Sequence, residues 1–118
     1  MARILVADDD ESIRDILTRA LTRAGHRVTP FDGGGELLRE CREEPPDLVI
    51  LDVAMPDADG RDVCRLLRAR PETRGVRVVL LTGGADLALE GRMFSDACFL
   101  KPFIVRDLLA AVSGLVAA

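Results

Sequence analysis

Five short apolar runs punctuate this chain of 118 residues: Arg3–Ala7, Arg27–Pro30, Asp47–Leu51, Val76–Leu81 and Ala97–Leu100. The third and fourth are nearly continuous in Leu, Val and Ile, which suits strands covered on both faces better than a half-solvated sheet. Between the runs lies helical periodicity. Ile13, Ile16, Leu17, Ala20, Leu21 and Ala24 recur at i, i+3, i+4, i+7, i+8 and i+11 before Gly25 stops the pattern. Val63, Leu66 and Leu67 mark a helix that ends before Pro71. Val105, Leu108, Leu109, Val112 and Val116 mark the last one. Two segments read more weakly. Gly33-Gly34-Gly35 delays the helix after the second run, and residues 85–94 hold only about two to three turns, interrupted by Gly91. The order βαβαβαβαβα, with right-handed crossovers, predicts a single doubly wound α/β domain over residues 1–118, a parallel sheet with helices on both faces.

A chain of this length holds one core. No apolar stretch approaches the roughly 18 to 20 residues of a bilayer span, and Met1-Ala2-Arg3 runs into a strand without a signal-like region, so a cytoplasmic protein without membrane contact is expected. The net charge of −4, with arginines scattered among acids, argues against direct nucleic-acid binding. Arg61, Arg65, Arg68 and Arg70 cluster on one helix and read as a solvated face. Cys41, Cys64 and Cys98 are odd in number, lack CxxC spacing and sit in apolar contexts, so buried thiols are expected rather than a disulfide or a zinc site.

In an open α/β sheet, ligands bind beyond the carboxyl ends of the strands. Asp8 and Asp9 follow the first run, Asp52 closes the third, Thr82 follows the fourth and Lys101 the fifth. Lys101 is the only lysine among sixteen basic residues. Its ammonium is a compact charge that lies against a single phosphoryl oxygen, where a guanidinium fork pairs bidentately. Three carboxylates at one sheet edge repel: at about 4–5 Å and an effective dielectric near 20, each pair costs roughly 3–4 kcal/mol. Lys101 opposes part of this, and a divalent cation with oxygen ligands, such as Mg²⁺, opposes more. Asp10 and Glu11 read instead as the acidic start of the first helix. An acidic pocket, a hydroxyl, an ammonium and a metal together describe a phosphoryl site.

The runs Ile4-Leu5-Val6-Ala7-Asp8-Asp9, Leu51-Asp52-Val53-Ala54-Met55-Pro56 with Asp59-Gly60, Leu80-Leu81-Thr82-Gly83 and Leu100-Lys101-Pro102-Phe103, in this order, resemble the receiver domains of two-component response regulators. The resemblance spans the whole chain and implies a flavodoxin-like fold with strand order 2-1-3-4-5. It implies that Asp52 accepts a phosphoryl group from a phosphohistidine on a sensor histidine kinase or a histidine phosphotransfer protein, forming an acyl phosphate. Asp9, Asp52 and the backbone carbonyl of Ala54 would hold Mg²⁺, with Mn²⁺ an alternative, and Asp8 would act through water. Lys101 would pair with one phosphoryl oxygen and Thr82 would turn its hydroxyl toward another. A cis Lys101–Pro102 peptide is expected. The domain would signal rather than act as an enzyme on other substrates, although it would catalyse its own phosphorylation and dephosphorylation. Its output would pass to an effector protein or a C-terminal effector domain, and residues 105–118 leave both open.

Two departures from the family bear on output. The position three before the lysine, commonly aromatic, is Cys98, and Phe99 faces the opposite side of its strand by alternation. The interval from Thr82 to Lys101 is also shorter by roughly one helical turn, which shortens the helix expected within 85–94. Phosphorylation chemistry with an atypical output face follows. Ala54 and Gly84, at positions that help govern water access to an acyl phosphate, leave its lifetime open. Two alternatives stand beside this reading. One is a receiver-shaped interaction module that never turns over phosphate. The other is a haloacid-dehalogenase-type phosphatase, because Asp8-Asp9-Asp10-Glu11-Ser12 imitates the DxDx[TSV] motif with Asp8 as nucleophile and Asp10 as acid/base; it leaves Asp52-Val53-Ala54-Met55-Pro56 unexplained.

Overall fold

The computed structural model describes residues 1–84 and 95–117. Strands β1 (Arg3–Ala7), β2 (Arg27–Phe31), β3 (Leu48–Asp52), β4 (Arg77–Thr82) and β5 (Ala97–Leu100) alternate with helices α1 (Glu11–Arg23), α2 (Gly34–Glu43), α3 (Gly60–Ala69) and α4 (Val105–Ala117). The third and fourth strands begin and end one residue later than the apolar runs predict. The helix expected within 85–94 lies outside the described residues. All four strand pairs are parallel, in the order β2-β1-β3-β4-β5.

The sheet sits between two apolar layers because its central strands bury both faces. Leu5, Ala7, Val49, Leu51, Val78 and Leu80 pack with Leu37 and Cys41 of α2 and Val63, Cys64 and Leu67 of α3. Ile4, Val6, Leu48, Ile50, Val79 and Leu81 pack with Leu17 and Leu21 of α1 and Leu108 and Val112 of α4. Each such side chain contributes roughly 1.5–3 kcal/mol of hydrophobic stabilisation. Pro30 occupies the edge strand β2, where a missing N–H is tolerated. Cys41 and Cys64 are buried and reduced as expected, and burial pushes the Cys41 thiol up to about 12. Cys98 is only half-buried, contrary to expectation, because β5 is the last strand of the sheet. It packs toward the α2/α3 layer while Phe99 packs toward the α1/α4 layer, as alternation requires.

The helix starts are set by carboxylates. Asp10 caps α1, accepting hydrogen bonds from the N–H groups of Ser12 and Ile13, and Asp59 caps α3 by accepting from Arg61 N–H. Gly33 gives α2 no side-chain cap; the cap comes from Asp57, in the loop after β3. Gly34 and Gly35 N–H donate to the two oxygens of Asp57 at 3.1 and 3.0 Å. A Cβ on Gly33 would stand 2.8 Å from the same carboxylate, so the glycine run is the space Asp57 needs. These two N–H groups hold the Asp57 carboxyl below the usual carboxylate range. Asp57→Ala is expected to lower stability by about 1 kcal/mol at neutral pH, measured by urea unfolding. A lowered folded-state pKa gives stability that is present above the unfolded value and lost as pH falls through the folded one. The difference between wild type and variant therefore closes on acidification.

The arginine cluster on α3 is not wholly a solvated face. Arg61 pairs with Asp59 and Arg65 with Asp62, but Arg68 donates to the carbonyls of Arg74 and Val76 and pairs with Asp96 at 2.9 Å. Asp96 in turn accepts from Val78 N–H at 2.8 Å. Arg68 thus ties α3 to the start of both β4 and β5.

Candidate phosphoryl-transfer site

The carboxyl ends of β1, β3, β4 and β5 bring five of the predicted side chains to one edge. Asp8 follows β1 and is fully buried, whereas Asp9, one residue on, is exposed. Asp52 ends β3 with its side chain 7% exposed. Oxygens of Asp8, Asp9 and Asp52 lie within 4.8 Å of one another, the only group of this kind among the described residues. Lys101 reaches this cluster from beyond β5. Its Nζ lies 2.9 Å from Asp8 Oδ2 and 3.3 Å from Asp52 Oδ2, with the side chain 22% exposed. The Lys101–Pro102 peptide is cis, and Lys101 N–H donates to the Thr82 carbonyl at 2.7 Å, joining the ends of β4 and β5.

The five side chains are differently engaged. Asp8 Oδ1 accepts from Asp10 N–H at 2.9 Å and its Oδ2 from Lys101, so both oxygens are occupied. Among the described residues, Asp52 Oδ1 accepts only a long 3.4 Å hydrogen bond from Ala54 N–H. Burial first, then the charge of Asp8, raise Asp52 above the usual carboxylate range, and Lys101 and Ala54 N–H pull it partly back. Burial pulls Lys101 down, but its hydrogen bond to Asp8 and the charges of Asp8 and Asp52 leave it above the ordinary lysine value. The Thr82 hydroxyl is buried and accepts from Gly84 N–H at 3.2 Å. Ala54 is exposed on the loop and forms an isolated bridge with Asp59. That loop is pinned by Gly60, whose N–H donates to the Val53 carbonyl; a Cβ there would overlap the Asp52 carbonyl oxygen. The donor set is all oxygen and carries three carboxylates beside a single ammonium, which fits a hard divalent cation of the Mg²⁺ kind.

Two residues at this edge carry no motif signal. Asp57, in the loop after β3, shows its role only through the glycine run of a different loop, whose N–H groups donate to it. Arg14, on α1, donates from Nη1 to the Asp8 carbonyl at 2.8 Å; its one sequence signal is a basic residue near a helix start, where the dipole favours acids. Beside Lys101 an apolar groove of about 380 Å³ opens between α1 and the start of α4, lined by Ile13, Ile16, Pro102, Phe103 and Val105.

Comparison with known proteins agrees with this arrangement. The family model described as the response regulator receiver domain matches residues 4–113. The response regulator receiver protein CpdR of Brucella abortus is 37% identical over 121 residues, covering 100% of this chain and 99% of that protein. The DNA-binding response regulator MtrA of Mycolicibacterium smegmatis is 41% identical over 115 residues, covering 93% of this chain and 48% of MtrA, so the chain spans about half the length of that relative. Among solved structures, a response regulator from Chloroflexus aurantiacus superposes with a TM-score of 0.93 at 28% identity, covering 99% of this chain and 98% of that one. TrrA of Thermotoga maritima, solved in complex with Mg²⁺ and BeF, gives 0.88 at 30% identity, covering 98% and 99%. The chain belongs to the receiver domains of two-component response regulators, a family of signalling domains. Among the described residues, no helix is long and apolar enough to cross a membrane.

Proposed function

We propose that Asp52 is the phosphoacceptor of a His-to-Asp transfer. The observation that carries this reading is the position of Lys101 Nζ, held between two carboxylates of which only Asp52 keeps a weakly engaged oxygen. That oxygen attacks the phosphorus of a phosphohistidine; the P–N bond breaks, its electron pair returns to the imidazole, and an aspartyl phosphate forms. Asp9, Asp52 and the Ala54 carbonyl would hold Mg²⁺, with Asp8 acting through water, and the bound ion would supply positive charge beside the phosphoryl oxygens. Lys101 takes one phosphoryl oxygen and the Thr82 hydroxyl, released from Gly84 N–H, takes another. Water later hydrolyses the acyl phosphate to carboxylate and inorganic phosphate. The engagement of both Asp8 oxygens disfavours a nucleophile at that residue.

The donor is a histidine kinase or a phosphotransfer protein, and the apolar groove beside Lys101 offers a surface such a partner can cover. The output differs from the family pattern at Cys98, a small half-buried side chain with no ring to turn inward. The signal then travels through Thr82 and the segment after it, to an effector protein or a further domain.

Thermal unfolding tests the reading. Stability is expected to rise with Mg²⁺ by roughly 2.7 kcal/mol at a hundred times the dissociation constant, and further with beryllofluoride. Asp9→Ala removes the Mg²⁺ response. A flat response to beryllofluoride plus Mg²⁺ in the wild type would instead favour an interaction module without phosphate turnover. Amide exchange across residues 82–94, with and without beryllofluoride, checks the output route; unchanged exchange there contradicts it.

A further inference from the structure

We infer that Arg14 is a positioning residue for the metal ligand Asp9, acting through the peptide that joins Asp8 to Asp9; this deepens, and rests on, the Mg²⁺ site proposed above. Three observations carry it. The Asp8 carbonyl lies one residue past β1, beyond the last registered pairs Ala7↔Phe31 and Ala7↔Leu51, and so has no strand partner. Asp8 is fully buried, and a buried carbonyl must find a donor. Arg14 Nη1 is that donor, at 2.8 Å.

The second observation is that three further hydrogen bonds close the same turn. Asp8 N–H donates to the Phe31 carbonyl at 3.2 Å, Asp10 N–H donates to Asp8 Oδ1, and Arg14 N–H donates to the Asp10 carbonyl at 3.1 Å. The guanidinium therefore completes a ring that runs from the strand end through the first turn of α1 and back to the strand end. The third is that the exposed carboxylate of Asp9 has no hydrogen-bond partner of its own among the described residues. With no side-chain partner of its own, Asp9 depends on its backbone for its approach to Asp8 and Asp52, and Arg14 holds the carbonyl oxygen of the Asp8–Asp9 peptide.

The sign of the metal response separates positioning from charge. Arg14 is a cation beside an acidic pocket, so removing it for its charge alone would tighten Mg²⁺ binding. Losing the anchor weakens it, because Asp9 must then be ordered when the ion binds. Calorimetric titration of the full chain with Mg²⁺, on protein shown folded by circular dichroism, decides. Arg14→Met is expected to raise the Mg²⁺ dissociation constant about fivefold or more, an order-of-magnitude expectation from the effect of residues that orient metal ligands. Arg14→Gln moves the same way and serves if the methionine variant does not fold. Unchanged or tighter binding in these variants, with normal binding in the wild type, overturns the role of Arg14 alone. Absence of Mg²⁺ binding in the wild type overturns the metal site together with it.

Discussion

Lys101→Ala is expected to destabilise the protein by about 3 kcal/mol and to lower its melting temperature by roughly 10 °C, the largest loss of any single change at the site. The ammonium is the sole cation within ion-pair distance of Asp8 and Asp52 among the described residues. Its removal leaves two buried carboxylates facing each other without a counter-charge. Partial exposure of Lys101 places the loss at the low end of the range for a broken buried pair. Because the harm is uncompensated negative charge, Mg²⁺ should restore stability to this variant more strongly than to the wild type. The pH dependence follows from the raised pKa of Lys101. Its stabilisation is complete below the ordinary lysine value and disappears as pH rises through the higher folded-state value, so wild type and variant converge in the alkaline range. Chemical unfolding across pH, with and without Mg²⁺, checks both statements. An equal response to Mg²⁺ in the two proteins would contradict the electrostatic account.

Asp52→Asn should have the opposite effect on stability and a larger one on function. The substitution removes the repulsion with Asp8 but also the pairing with Lys101, leaving a net gain of about 1–2 kcal/mol at neutral pH. Burial and Asp8 raise the folded-state pKa of Asp52, so its carboxylate form costs stability as pH rises from the unfolded value through the folded one. The advantage of the asparagine variant therefore shrinks on acidification, where Asp52 of the wild type is protonated. Beryllofluoride should no longer stabilise the variant, because an amide offers no anionic oxygen to complete the phosphoryl mimic. A protein that both melts lower than the wild type and retains the beryllofluoride response would remove Asp52 from the centre of the site.

Both effects were foreshadowed by residue type and place. Apolar runs long enough only for strands, alternating with helical periodicity, leave one sheet architecture open, and the carboxyl ends of its strands name Asp8, Asp9, Asp52, Thr82 and Lys101. Strand boundaries slipped by one residue because Asp52 and Thr82 are polar yet still pair in the ladder. Periodicity reports side-chain chemistry, whereas pairing is made by the backbone. What stayed illegible depends on contacts between segments far apart in the chain. Gly33-Gly34-Gly35 read as a weak helix start, and only the approach of Asp57, more than twenty residues later, shows why side chains are excluded there. Arg14 and Arg68 belonged to a background of arginines, and their roles rest on carbonyl oxygens that carry no sequence signature. The burial expected for Cys98 failed for a topological reason: an apolar run does not reveal that its strand closes the sheet.

The central claim is that the phosphoryl group goes to Asp52. Incubation of the wild-type chain with phosphoramidate and Mg²⁺, reduction of the acyl phosphate with borohydride and peptide mapping by mass spectrometry test it most directly, with Asp52→Asn as the control. The account predicts a reduced residue at position 52 in the wild type and none in the variant. Labelling of Asp8, or no labelling at any aspartate under conditions where Mg²⁺ stabilises the fold, would contradict it.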